Sequence, residues 1–302
     1  MIHARELTKQ FEGRTAVDRL SLDVAAGEVL GLLGPNGAGK TTTTRMLACL
    51  IRPTSGEAEI AGFKVGDGDD AIRHAIGITT EVPGLYERLS AKQNLAFFAD
   101  LHGVDNVSRR VEKYLQLLGL WDRRDDRAGS FSKGMKQKLA LARALVHEPK
   151  VLLLDEPTSG LDPQVAQSVR DFILELKSEG RTILLCTHNL DEAERLCDRI
   201  AVLKTHLIAV DKPEALRHRL FGRRVVIKVR VLSPGLAEAV SSVPSVKAVN
   251  HDEQRLFVQM DDPESQIPIV VRLLVEKGAD IQAVTEEQHS LSDVYMKLMD
   301  QS

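Results

Sequence analysis

The sequence predicts an α/β fold with a largely parallel sheet, followed by a smaller α+β domain. Three observations carry that reading. Short apolar runs alternate with amphipathic ones through about residue 210: "EVLGLLG", "KVLLLD", "RTILLCTH" and "RIAVLK" against "KTTTTRMLACLI", "KQKLALARALVH" and "QVAQSVRDFILELKSEG". Apolar strands separated by amphipathic helices belong to parallel sheets covered on both faces. Residues about 85–148 interrupt the alternation with mostly helical sequence, "AKQNLAFFADLHG" and "SRRVEKYLQLLGLW", which predicts a helical insertion. After "KPEALRHRLFG" the period shortens to two, with Val225, Ile227, Val229 and Val231 on one face of "RRVVIKVRV".

Each element has a local reason. "EVLGLL" is a continuous apolar run of strand length, and the helical run "KTTTTRMLACLI" follows it across a glycine-rich turn. "KVLLLD" ends in Asp155 and "TILLCTH" in His188, both read as buried strands with a polar residue at the end. In "GSFSKGMKQKLALARAL" (129–145), Ser, Lys and Gly precede a run with Met135, Leu139, Ala142 and Val146 on one face. A helix starting there offers unpaired N–H groups and a positive dipole end, which suit an anion. Beyond residue 221 the order is β-α-β-β-α-β, a ferredoxin-like split βαβ arrangement, with a final helix opened by the capping-box spacing of Ser290 and Asp293. The expected domains are 1–220, including the insertion, and 221–302.

The chain has 302 residues, enough for a substantial core and for two domains. Its net charge is −3; nine Lys/Arg face twelve Asp/Glu after residue 220, and 31 of each precede it. Neither part is basic, which argues against nucleic acid as a partner. Three cysteines, Cys49, Cys186 and Cys197, form no pairing framework and fit a reducing compartment. The N-terminus "MIHARELTKQFEG" has no apolar stretch of a signal peptide, and no apolar run approaches the ~20 residues of a spanning helix.

The most informative stretch is "GPNGAGKT", Gly34 to Thr41, which fits G-x-x-x-x-G-K-[ST] between a strand and a helix. Its glycines let backbone N–H groups close around phosphates, Lys40 reaches the terminal phosphates, and the Thr41 hydroxyl is a Mg2+ ligand. "VLLLDEPTSGLD" (151–162) supplies the acidic partner: Asp155 to hold the metal, Glu156 to orient and deprotonate an attacking water. A solvated Asp-Glu pair is the bland alternative, and the phosphate loop makes it the weaker one. His188 leaves the same sheet edge, where ligands of open α/β sheets bind, and is placed to donate to the γ-phosphate or the water.

These motifs resemble the ATP-binding-cassette (ABC) ATPases. The residues that carry the resemblance are Gly34–Thr42, "FSKGM" (131–135, the signature), "LLLDE" (152–156), "SGLD" (159–162) and His188, in the family's order and spacing over about residues 1–215. The resemblance implies a P-loop NTPase core with a β-subdomain and a helical subdomain. It implies ATP and Mg2+ as cofactors and a phosphate-binding set of Gly34, Pro35, Asn36, Gly37, Ala38, Gly39, Lys40, Thr41 and Thr42. Phe11 falls where the family stacks an aromatic on adenine. Ser132 and Gly134 would face the γ-phosphate held by a partner domain, and Asp162 would work across that interface. The chain is thus expected to pair head to tail with itself or a related ATPase.

Two departures from the family pattern matter. The third residue of "FSKGM", usually Gly, is Lys133. The glutamine of the loop after the β-subdomain aligns with Glu81, whose carboxylate is a possible third Mg2+ ligand but adds negative charge beside phosphates. The C-terminal "SLSDVYMKL" (290–298) resembles the end of the exporter-like branch. That branch implies an ATPase on the cytoplasmic face of the membrane, docked through its helical subdomain on a separately encoded permease. The rival is a soluble mechanical ATPase acting on nucleic acid or ribosomes; its relatives carry long coiled coils or two cassettes, and this chain has neither. No Asn/Thr-Lys-x-Asp segment of a GTPase is found. Trp121, Phe97 and Phe98 are expected in the core of the helical subdomain.

Overall fold

The computed structural model describes every residue except Gln288 and Ser302. The chain divides into two compact units, Met1–Asp211 and the residues from Lys212 onward. In the first, β1 (Ile2–Phe11), β2 (Arg14–Val24), β4 (Ser55–Ile60) and β5 (Phe63–Lys64) form an antiparallel sheet in the order β2-β1-β4-β5. Beside it lies a six-stranded sheet of β3 (Val29–Leu33), β6 (Ile76–Thr79), β7 (Val151–Asp155), β8 (Thr182–Thr187), β9 (Arg199–Lys204) and β10 (His206–Asp211), ordered β10-β9-β3-β8-β7-β6. All its ladders are parallel except that of β10 with β9. Every residue of β3, β7 and β8 is buried, as strands covered on both faces require.

Helices α1 (Lys40–Leu47), α2 (Asp69–Ala75), α6 (Pro163–Ser178) and α7 (Leu190–Leu196) connect the strands, and the insertion holds α3 (Ala91–Leu101), α4 (Val107–Leu117) and α5 (Lys133–Leu145). Helix α1 forms although four threonines in a row disfavour it. Thr43, Thr44, Met46 and Leu47 are buried, and the Thr44 hydroxyl bonds back to the Lys40 carbonyl, so packing overrides propensity. Helix α3 opens on a full capping box between Ser90 and Gln93.

The core of the insertion includes Leu95, Ala99, Val111, Leu115, Leu139 and Leu145. The aromatic residues expected there are elsewhere. Phe97 is 44% exposed, and Phe98 and Trp121 are only partly buried. Phe97 and Phe98 lie between Leu95 and Ala99 on α3, so helical spacing turns them off the buried face, where they meet Tyr86, itself 48% exposed.

The second unit contains β11 (Arg224–Val229), α9 (Leu236–Ser241), β12 (Val246–His251), β13 (Arg255–Met260), α10 (Pro263–Glu276) and β14 (Ile281–Glu286). Its antiparallel order β12-β13-β11-β14 is the ferredoxin-like one, with Val225, Ile227 and Val229 facing Val240, Val270 and Leu274 in one core. Helix α8 (Pro213–Phe221), expected to close the first domain, belongs to this unit. It packs on α11 (Leu291–Asp300), where Lys297 donates to the Leu220 carbonyl and lies over the Phe221 ring. Ser290 and Asp293 form the capping box of α11.

Candidate active site

Three adjacent strands, β3, β8 and β7, end at one edge of the parallel sheet and deliver the phosphate loop, His188 and the Asp155-Glu156 pair to it. That edge is where open α/β sheets bind ligands. The loop after β3 turns tightly because Gly34 has no room for a side chain: a Cβ would strike the Leu203 carbonyl and lie 2.8 Å from Ala38 Cβ. Gly39, at φ 100°, caps α1 in the left-handed region, with the Ala16 carbonyl 2.5 Å from where its Cβ would stand. Gly39 thus brings the loop backbone against β2, and Gly34 brings it against β9.

The loop encloses Lys40, which is 7% exposed and donates to the carbonyls of Gly34 at 2.7 Å and Pro35 at 3.3 Å. Its Nζ is 3.9 Å from Glu156 Oε1. The Thr41 hydroxyl donates to Asp155 Oδ2 at 2.8 Å, while Asp155 Oδ1 is buried with no hydrogen-bond partner. Burial pushes the Asp155 carboxyl up from its ordinary range; Thr41 and Lys40 pull it down, and Glu156 and Glu81 add to the rise. An orphaned buried carboxylate oxygen beside a hydroxyl is a hard-donor pair of the kind Mg2+ accepts, so the residues present fit that ion.

Glu156 adopts φ 51°, a left-handed conformation rare for Glu, and its N–H is held by the Cys186 carbonyl at 2.8 Å. That turn aims the carboxylate back over the loop, where Oε1 lies 2.8 Å from His188 Nδ1. Behind the pair, Thr158 donates to buried Glu192 Oε1 at 2.7 Å. Burial pushes Glu192 up, against the hydroxyls of Thr158 and Thr187. The thiol of Cys186 is fully enclosed and pushed up to about 12 by burial, which leaves it inert.

A cavity of about 880 Å³ opens over these groups. Its lining includes Phe11, Pro35 through Thr42, Glu81, Asp155, Glu156 and His188. Gly34 contributes its carbonyl to Lys40 from beneath. Phe11 is 47% exposed, with the Lys9 ammonium 5.0 Å from the ring centroid, so it is not a core residue. Glu81 is exposed at the rim. The lining also contains Glu12, Arg14 and Ala16, none of which the sequence reading selected, and Ser159, which it quoted only as part of "SGLD". The readable signals were the short β1–β2 hairpin for Arg14 and the position three after Glu156 for Ser159.

Ser132, Gly134 and Asp162 do not line this cavity. Ser132 caps α5 and accepts from Met135 N; Asp162 caps α6 and accepts from Val165 N at 3.0 Å. The two helix starts touch, since a Cβ on Gly134 would lie 2.7 Å from Val165 Cγ1. Lys133 is exposed and lays its Nζ over Gly160, against the loop that follows Glu156.

Comparison with known proteins agrees with this geometry. The family model described as "ABC transporter" matches residues 17–159, and that described as "ATP-binding protein DrrA1-3-like, C-terminal domain" matches 212–299. The daunorubicin resistance ATP-binding protein DrrA3 of Streptomyces coeruleorubidus is 36% identical over 96% of this chain and 93% of its own. The bacitracin transport ATP-binding protein BcrA of Bacillus licheniformis is 34% identical over 99% and 97%. The solved ATP-binding subunit of an ABC transporter superposes with a TM-score of 0.69 at 31% identity, over 74% of this chain and 94% of that one. The dimeric ATP-binding cassette MJ0796 with ADP and Pi superposes at 0.65 and 26%, over 70% and 98%. Along nearly its whole length, then, the chain belongs to the ATP-binding subunits of ABC transporters.

Proposed function

We propose that this chain is the ATP-hydrolysing subunit of an exporter and drives transport through a separate membrane permease. The observation that carries it is the convergence of Lys40, Thr41, Asp155, Glu156 and His188 on one cavity at the end of three parallel strands. The N–H groups of Gly37 to Thr42 cradle the phosphates, and Phe11 stacks on the base. Lys40 exchanges the carbonyls of Gly34 and Pro35 for terminal phosphate oxygens. Thr41 and Asp155 would hold Mg2+, with Glu81 at the rim as a further oxygen donor, and the bound ion would supply positive charge to offset that of the phosphates. Glu156 orients and deprotonates the attacking water, and His188 fixes the Glu156 carboxylate and reaches the γ-phosphate.

The signature residues Ser132 and Gly134, with Asp162, lie outside their own cavity, and a second copy or a related ATPase set head to tail would bring them to the γ-phosphate. Two identical chains make that contact isologous. Docking of the permease on the insertion is supported by the exposed apolar residues Tyr86, Phe97 and Leu101, of which Tyr86 and Phe97 meet edge to face. None of the helices among the described residues is long and apolar enough to cross a membrane. On this reading the chain works at the inner face of the membrane, beside a permease that spans it. Relatives named for drug resistance or transport, matched end to end, favour this over a ribosome- or nucleic-acid-directed ATPase.

The test is purified Glu156→Gln protein in saturating Mg-ATP, run in sedimentation velocity, beside a pull-down of tagged wild type from gently solubilised membranes. Nucleotide-dependent dimers, and a stoichiometric partner with several apolar ~20-residue segments, are expected. A protein that stays monomeric, or that brings down only ribosomal or nucleic-acid partners, overturns the reading.

A further inference from the structure

The cavity has an unusual charge balance for a site that is to hold a polyphosphate. Its lining carries four carboxylates, Glu12, Glu81, Asp155 and Glu156, against two fixed cations, Lys40 and Arg14. Lys40 is already engaged, with two loop carbonyls in hydrogen-bond range and Glu156 at 3.9 Å. The Arg14 side chain makes no hydrogen bond or ion pair among the described residues, so it is the cation whose charge is uncommitted.

Its placement follows from the hairpin. The two residues between β1 and β2, Glu12 and Gly13, have φ of 40° and 83°, the two positive values of a type I′ turn. That turn sets Phe11 directly opposite Arg14, so their side chains share one face of the ribbon. The guanidinium then reaches the phosphate loop: a methyl group added to Gly37 would lie 3.5 Å from Nη2. A ligand with an aromatic ring on Phe11 and an anionic tail in the loop must pass it. An exposed arginine is ordinarily a solvated surface group. Here the rigid two-residue turn and the acid-rich lining give it a ligand-facing position instead.

We infer that Arg14 is a phosphate-contacting residue of the nucleotide site, a second cation that joins Lys40 on the di- or triphosphate. The inference rests on the ATP-binding reading above. It takes nucleoside di- and triphosphates as the ligand class, because a planar guanidinium bonds phosphate oxygens in pairs.

The experiment compares wild type, Arg14→Ala and Arg14→Lys by calorimetric titration with ATP and with ADP at two salt concentrations, together with thermal midpoints. Arg14→Ala is expected to raise Kd for both nucleotides by about tenfold with an unchanged midpoint. The loss should shrink at high salt, and Arg14→Lys should recover part of it. A Kd within twofold of wild type in Arg14→Ala overturns the inference, as does an Arg14→Lys protein no better than the alanine variant. Wild type that binds neither nucleotide would instead overturn the ATP-binding reading itself.

Discussion

His188 Nδ1 lies 2.8 Å from Glu156 Oε1, joining side chains that leave two adjacent strands 32 residues apart in sequence. The Glu156 side chain is 12% exposed and that of His188 59%, so the imidazole covers the carboxylate from the open side. A contact that only decorated the surface would contribute little.

Replacing His188 with Ala should therefore lower kcat for Mg-ATP by at least about 100-fold and leave Kd for ATP nearly unchanged, because positioning of a general base acts in the transition state. Steady-state hydrolysis and nucleotide titration on the same preparation check this. A loss confined to Kd would assign His188 to ground-state binding.

Thr41 and Asp155 make the second prediction. Asp155→Asn keeps the shape but removes the charge beside an unpartnered Oδ1. The Mg2+ concentration for half-maximal hydrolysis should rise about tenfold or more, and chelation with EDTA should stop turnover in wild type. Unchanged Mg2+ dependence in the variant would remove Asp155 from the metal site.

The buried pair Thr158–Glu192 ties the loop after Glu156 to the helix after His188. Glu192→Ala strands the Thr158 hydroxyl and empties a buried site, so it should destabilise the fold by about 1–3 kcal/mol. Glu192→Gln, which keeps an acceptor, should lose less. Denaturant unfolding measures both, and a Thr158→Ala, Glu192→Ala double variant should lose less than the sum of the single losses.

His147 provides a pH test. Its ring stacks on His102 at 3.8 Å between centroids, and its Nε2 lies 2.9 Å from the Ile76 carbonyl. Burial, and then His102, push it down to about 4; His74 and Arg181 act in the same direction and the Ile76 carbonyl against it. A histidine with a folded pKa below its unfolded one binds fewer protons when folded, so its contribution is complete above about pH 6.5 and is lost on acidification toward 4. Going from pH 7.5 to 5 should cost wild type roughly 1–2 kcal/mol more than His147→Gln, read from unfolding curves at both pH values. Asp155 and Glu192, raised by burial, act in the opposite sense in both proteins and cancel from the comparison.

Much of the site was legible in the chain because it depends on contiguous residues. Gly34 to Thr42 must carry glycine where the backbone turns back on itself, and Asp155 and His188 stand at the ends of strands whose apolar runs are unambiguous. The ferredoxin-like order and the capping box at Ser290 were readable for the same reason, since period and cap are local properties.

What the sequence by itself determined, then, was the order of the elements and the chemistry at their ends. Tertiary structure decided which polar groups meet and which apolar ones stay exposed. Arg14 reaches the phosphate loop only because a two-residue hairpin folds over it, and Phe97 and Phe98 lie off the core only because α3 turns Leu95 and Ala99 inward. Lys133 rests over Gly160 because α5 and α6 start side by side. Such placements depend on how whole elements pack, and helical or strand periodicity carries no record of the neighbour an exposed side chain will meet.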